Sequence, residues 1–177
     1  MAEALHLFAE QLSTPIGAMQ IAVDQAGHLR VAFFAESEGD ILRYLRRHCG
    51  EHGFTLEPAD NPHGITRAIK RYFTGELSAI DSIPVKAVGT EFQQEVWSAL
   101  RTIPCGATTS YGKLAQQIGR PQAVRAVGLA NGANPIAVVV PCHRVIGANG
   151  SLTGYGGGID RKRWLLQHEQ GGTRLLF

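Results

Sequence analysis

Cysteine is scarce in this chain: three, Cys49, Cys105 and Cys142, occur among 177 residues, an odd count at wide spacing. That argues against a disulfide framework and points to reduced thiols in an intracellular compartment. No apolar run is long enough to cross a bilayer, so no membrane partner is expected. The first residues lack a basic segment followed by an apolar run, so no signal peptide is expected and the compartment read is the cytoplasm. Acidic side chains are nearly missing from the second half. Residues 101–177 hold two of them against nine Lys and Arg, a net of +7, whereas residues 1–100 hold 13 against eight, a net of −5. A basic half joined to an acidic one points to a polyanionic partner, although a basic surface without a partner fits the charge equally well. Tight metal-ligand patterns are missing too. His6, His28, His48, His52, His63 and Cys49 form neither a paired-Cys nor an HExxH spacing, so solvated or structural histidines are expected, with no metal and no cofactor.

What is present reads as an ordinary globular chain, 44% hydrophobic and 18% charged. Leu5 to Leu12, Ile16 to Val23 and Leu29 to Phe34 are apolar-rich runs parted by turn residues, the pattern of an antiparallel meander. Asp40 to Arg46 has apolar positions at helical spacing, with Gly50 after its end and Cys49 as a structural thiol. Residues 50–64, with Gly53, Pro58, Pro62 and Gly64, read as a loop. Ile65, Ile69, Tyr72 and Phe73 mark an amphipathic helix closed by Gly75. Ile83 to Gly89 reads as a linker between two domains, 1–85 and 86–177.

The second domain opens on Thr90-Glu91-Phe92-Gln93, a capping box, with Phe92, Val96, Leu100 and Ile103 on one face of the helix it starts. Pro104-Cys105-Gly106 stops that helix, and Cys105 is read as structural. Tyr111 to Gly119 is a short helix, Arg120-Pro121 turns the chain, and Gln122 to Ala133 is a second helix: a helix-turn-helix in the basic half. The second helix holds Ala123, Ala126, Gly128, Ala130, Gly132 and Ala133, with Arg125 its only charge. A helix reading base edges in the major groove would carry several long polar side chains. This one offers a bare surface suited to close approach, as in a shallow, narrow groove. Tight packing inside the protein also favours Gly and Ala, but a lone arginine in a dry interface would be costly.

Val138-Val139-Val140 then reads as a short buried strand that must end at Pro141. It delivers Cys142, His143 and Arg144. A thiol beside an imidazole and a guanidinium is expected to ionise more readily, which is what a nucleophile needs. The plainer reading is core filler, since free cysteine is among the most buried residue types and neighbouring strand side chains diverge. Gly154-Tyr155-Gly156-Gly157-Gly158 is a loop able to bring backbone N–H groups close to a ligand, or only a flexible connection. Asp160 is expected to cap a last helix with Trp164 in the core. Glu169, at its end, is either solvated or the partner of a histidine.

Pro141-Cys142-His143-Arg144-Val145, with Tyr111, Arg125, Asn134-Pro135, the glycine loop and Glu169, resembles the O6-alkylguanine-DNA alkyltransferase family. The likeness is to its bacterial constitutive type and is dense from Phe92 to Glu169. It implies an α/β (α+β) protein with a small, ribonuclease H-like N-terminal sheet domain of structural role. A mainly helical, winged-helix-like C-terminal domain with the helix-turn-helix would bind DNA and accept the alkyl group. Cys142 would be the alkyl acceptor, and His143, oriented by Glu169, would take its proton through a water. Asn134 would brace the turn before the cysteine. Arg125 would fill the gap left by a rotated nucleotide, with Arg120 and Ala126 also on DNA. Tyr111 would press the adjacent phosphate and hydrogen-bond guanine N3. The backbone at Cys142 and Val145 would accept from the exocyclic amine, and Tyr155 and Gly156 would line the pocket.

The implied partner is double-stranded DNA, entered from the minor groove by a monomer, with the alkylguanine flipped out. The nucleotide must leave the stack before a fixed thiol can reach its alkyl group. The thioether product has no easy route back, so one transfer per molecule is expected. Three departures from the family pattern stand out. Residues 1–48 lack the cysteine that zinc-binding members use, Gly156 stands where animal relatives have serine, and Ala137 where they have proline. A roomier pocket is expected from the last two. Competing readings are a non-catalytic binder of alkylated DNA, a helix-turn-helix regulator and a thiol hydrolase.

Overall fold

The computed structural model describes residues 3–35, 38–49 and 53–171, so Gly50 and His52 lie outside the described residues. The chain forms two compact units that divide between Val88 and Gly89. In the first, β1 (Leu5–Thr14), β2 (Gly17–Asp24) and β3 (Leu29–Phe34) make the expected antiparallel meander. Thr14 pairs with Gly17 around a two-residue turn. After α1 (Glu38–His48) the chain returns as β4 (Phe54–Pro58), which pairs parallel to β1 and completes the sheet order β3-β2-β1-β4. β4 lies inside the segment read as a loop. Only five residues long, half exposed and ending in Glu57-Pro58, it carries no periodic apolar signal.

One face of this sheet buries Leu7, Ala22 and Val31 against Ile41 and Leu45 of α1. α2 (Ile65–Phe73) buries Ile65, Ile69, Tyr72 and Phe73 and contacts β1. Each fully buried Leu or Ile contributes roughly 1.5–3 kcal/mol, so this sheet is fixed by its apolar faces.

The second unit starts at α3 (Glu91–Leu100) with the predicted capping box: Thr90 Oγ1 accepts from the Gln93 amide, and Gln93 Oε1 from the Thr90 amide. Gly89 is required by a close approach, since a Cβ there would lie 2.5 Å from the Trp97 ring. Trp97 Nε1 donates to the Ala130 carbonyl at 2.9 Å, tying α3 to α5 (Val124–Gly132). α4 (Tyr111–Gln117) is capped by Ser110 and followed by Gly119 at φ 73°, a left-handed position that turns the chain toward α5. α6 (Ile159–Glu169) closes the unit. Its N-cap is Gly158, with no side-chain cap; Asp160 instead pairs with Arg163 on the same helix. Trp164 is half-buried and stacked on His168, outside the core expected for it.

Candidate active site

The valine run is buried but is not a strand. Val138 adopts φ 72°, a costly conformation for a β-branched residue, and the Val139 amide donates back to the Ala137 carbonyl at 2.9 Å. A second tight turn centres on Pro141, with the Cys142 amide on the Val140 carbonyl at 2.8 Å. What replaces a ladder partner is the Asn134 side chain. Its Nδ2 donates to the carbonyls of Ile136 (3.3 Å) and Val140 (2.8 Å), and its Oδ1 accepts from the Ile136 amide (3.0 Å). One amide thus satisfies three backbone groups that an alternating pattern would have assigned to a sheet. Cys142-His143-Arg144 follow as one 3-10 turn, and β6 (Val145–Ile146) pairs parallel to β5 (Thr109–Ser110). That pairing starts α4, and hence Tyr111, one residue beyond the partner of Ile146.

Cys142, His143, Arg144 and Glu169 are all buried. His143 Nε2 lies 2.8 Å from Glu169 Oε1, so that nitrogen carries the proton and donates. Nδ1 is then the acceptor, and it is buried with no protein partner among the described residues. Arg144 grips the same carboxylate with Nε (2.9 Å) and a terminal nitrogen (2.8 Å), and its other terminal nitrogen donates to the Ile103 carbonyl (2.6 Å). Glu169 is therefore the partner of a histidine and of an arginine at once. Burial would raise its pKa, but the hydrogen bonds from His143 and Arg144, and the Arg144 charge, hold it far below the usual carboxylate range.

The thiol is shifted opposite to the sequence expectation. Burial pushes Cys142 up, and it outweighs the Asn134 amide, the Lys162 charge and the backbone N–H groups of Cys142 and His143, all of which favour the thiolate. The resting group is a thiol that needs a base. Burial, together with the charges of Arg144 and Lys162, lowers the His143 pKa against the opposing pull of Glu169, so the imidazole is neutral and able to accept a proton. Below the ordinary value of 6.5 an unfolded imidazole takes up a proton that the folded one refuses, so stability falls with falling pH. His48, lowered first by burial, and Glu169, whose stabilisation is present above 4.5 and lost as pH falls through its folded value, add in the same direction. Calorimetry should find the melting temperature level above about pH 6.5 and declining below it; a rise on acidification would mean that His143 charges inside the fold.

The remaining expected residues fall around this centre or on α5. Tyr111 donates its hydroxyl to the Thr153 carbonyl (3.1 Å). The Tyr155 hydroxyl is buried without a protein partner among the described residues, and burial pushes its pKa well above the usual value. At Gly156 the space a Cβ would fill is open. Arg125 and Ala126 are exposed on α5, beside Val124 (41% exposed) and Leu129 (71%). Arg120 differs: its guanidinium is held by Glu95 at 3.1 Å twice and lies over the Phe92 ring. His28 pairs with Asp24 and His6 with Glu57, and no group of three metal-type ligands occurs among the described residues.

Sequence reasoning passed over three residues. Lys162 is fully buried and donates to the carbonyls of Val145 (2.6 Å), Thr153 (2.9 Å) and Gly154 (3.4 Å), tying the glycine-rich loop to the strand after the cysteine. Asn131 donates to the Cys142 carbonyl (3.4 Å). Arg144 had been read only as a positive neighbour. Lys162 lies three residues from both Ile159 and Leu165, and Asn131 four from Val127, so each is a polar residue on an apolar stripe; that was the available signal.

Comparison with known proteins identifies the family. Residues 91–171 match the 6-O-methylguanine DNA methyltransferase, DNA binding domain. A methylated-DNA–protein-cysteine methyltransferase of Shigella flexneri is 49% identical over 165 residues, 93% of this chain and 96% of the relative. This chain belongs to that family. Among solved structures, Mycobacterium tuberculosis OGT in complex with DNA superposes with a TM-score of 0.76 at 44% identity, covering 94% of each chain. The O6-methylguanine-DNA methyltransferase of Pyrococcus kodakaraensis gives 0.67 at 29%, covering 92% of this chain and 98% of the other. The four-stranded N-terminal sheet and helical C-terminal part are the fold of this methyltransferase family.

Proposed function

We propose that this methyltransferase repairs alkylated guanine in double-stranded DNA by direct reversal, moving the O6-alkyl group to Cys142 irreversibly and once per molecule. The observation that carries the residue assignment is the buried run Glu169–His143, whose free acceptor Nδ1 belongs to the residue next to the thiol. His143 takes the thiol proton through a water while sulfur attacks the alkyl carbon. The S–C bond forms, the O6–C bond breaks, and the departing guanine takes a proton from Tyr111. Asn134 holds the turn that aims the sulfur, the carbonyls of Cys142 and Val145 accept from the guanine 2-amino group, and Tyr155 and Gly156 line the pocket. α5 enters the minor groove with Arg125 in the gap left by the flipped nucleotide and Ala126 against the backbone. Arg120 would exchange Glu95 for a phosphate. We read the 1–85 domain as structural, the protein as a cytoplasmic monomer, and its reaction as free of metal and cofactor.

The test is intact mass after incubation with duplex containing O6-methylguanine. One added methyl, located on Cys142 and missing in Cys142→Ala, is the expected result. An unmodified protein, or one that turns over repeatedly, would overturn the reading.

A further inference from the structure

Among the described residues the exposed large apolar side chains are Val88, Val124 and Leu129, and Leu129 stands furthest into solvent at 71%. A single exposed leucine is ordinary on a protein surface, but the place of this one is unusual. α5 turns Val127, Ala130 and Asn131 inward, so Leu129 projects from its outer side, four residues after Arg125. Its neighbours on that side, Ala126, Gly132 and Ala133, are exposed and carry at most a methyl group. The apolar area is therefore little more than one side chain, far below the roughly 800 Å² per partner of a stable protein interface. A narrow groove suits it better, because a bare helix face comes close there and one apolar side chain reaches the floor.

We propose that Leu129 sets a sequence preference beside the lesion: it packs on the minor-groove floor and disfavours a G·C pair beneath it. The inference deepens, and rests on, the reading of α5 as the minor-groove helix with Arg125 in the gap. Four helical residues advance about 6 Å and successive base pairs about 3.4 Å, which sets Leu129 about two pairs from that gap. At A·T the floor presents acceptors alone, whereas guanine adds a 2-amino group that projects into the groove. An isobutyl group over that amine meets it sterically, strips its water and returns no hydrogen bond. Over A·T the same side chain seats without that donor in its way.

The experiment is single-turnover repair of O6-methylguanine duplexes by the whole protein at subsaturating concentration. Each of the three flanking pairs on either side is made A·T, G·C or inosine·C in turn, inosine being guanine without the 2-amino group. At one position, about two pairs out, G·C should slow repair by about tenfold and inosine·C should match A·T within about twofold, the effect of one buried unpaired donor. Leu129→Ala should bring the G·C penalty to within about twofold, and Leu129→Met, still long and apolar, should keep it. No such position in the natural chain, or a penalty that inosine·C shares, would overturn the proposal. A penalty that survives in Leu129→Ala would belong to duplex stability and overturn it too. So would a dimer of the DNA-free protein, seen by sedimentation and lost in Leu129→Ala, since the face would then serve a second copy. No methyl on Cys142 from any duplex would instead remove the transfer reading beneath it.

Discussion

Replacing Arg144 with Met should destabilise the second unit by about 3–5 kcal/mol, because it leaves a buried carboxylate without its principal counter-charge. Arg144 contributes two hydrogen bonds to Glu169 and one to the Ile103 carbonyl, all between buried groups. With the guanidinium gone, Glu169 would keep its hydrogen bond to His143 but lose the charge opposite it. It would then take up a proton or draw one onto the imidazole, and either change spoils His143 as a base. Alkyl transfer near neutral pH should therefore fall even in the fraction that folds. Arg144→Met combined with Glu169→Leu separates the two effects. An apolar pair of similar volume often restores stability where an ion pair has been removed, so denaturant unfolding should recover while transfer does not. A loss of under about 1 kcal/mol for the single variant would class the pair with surface ion pairs and contradict its burial.

Arg144 also marks the limit of what could be read in advance. The meander was legible because apolar runs and turn residues are local signals, and the capping box because its two partners are three residues apart. The acceptor segment was legible as chemistry, Cys beside His and Arg, but not as shape. Three valines before a proline are locally a strand, and what prevents one is the Asn134 side chain occupying the backbone groups a neighbour would need. The direction of the thiol's shift was missed for a related reason. Positive neighbours are visible in sequence, whereas the burial that outweighs them belongs to the fold. Lys162 and Asn131 serve carbonyls 17 and 11 residues away, distances at which no spacing rule names a partner. Long-range polar ties are set by tertiary packing, and a polar residue on an apolar stripe is the trace they leave in sequence.

For Arg125 the expected result is a split between substrates. It is exposed on α5, and no hydrogen bond or ion pair engages it among the described residues. Its removal should therefore cost the fold little. In the proposed role its work is on duplex DNA: holding a nucleotide out of the stack means replacing lost stacking and pairing, a few kcal/mol. Arg125→Ala should accordingly slow repair of O6-methylguanine in duplex by about 100-fold, since each 1.4 kcal/mol is tenfold. Transfer from free O6-benzylguanine, which needs no flipping, should stay within about threefold of the unsubstituted chain, well inside that span. Single-stranded DNA should fall between, because less stacking must be broken. Equal losses on duplex and free base would place Arg125 in the chemistry of the pocket and end the gap-filling role. No loss on either would leave Arg125 a phosphate contact alone, with a salt dependence that the same variant would flatten.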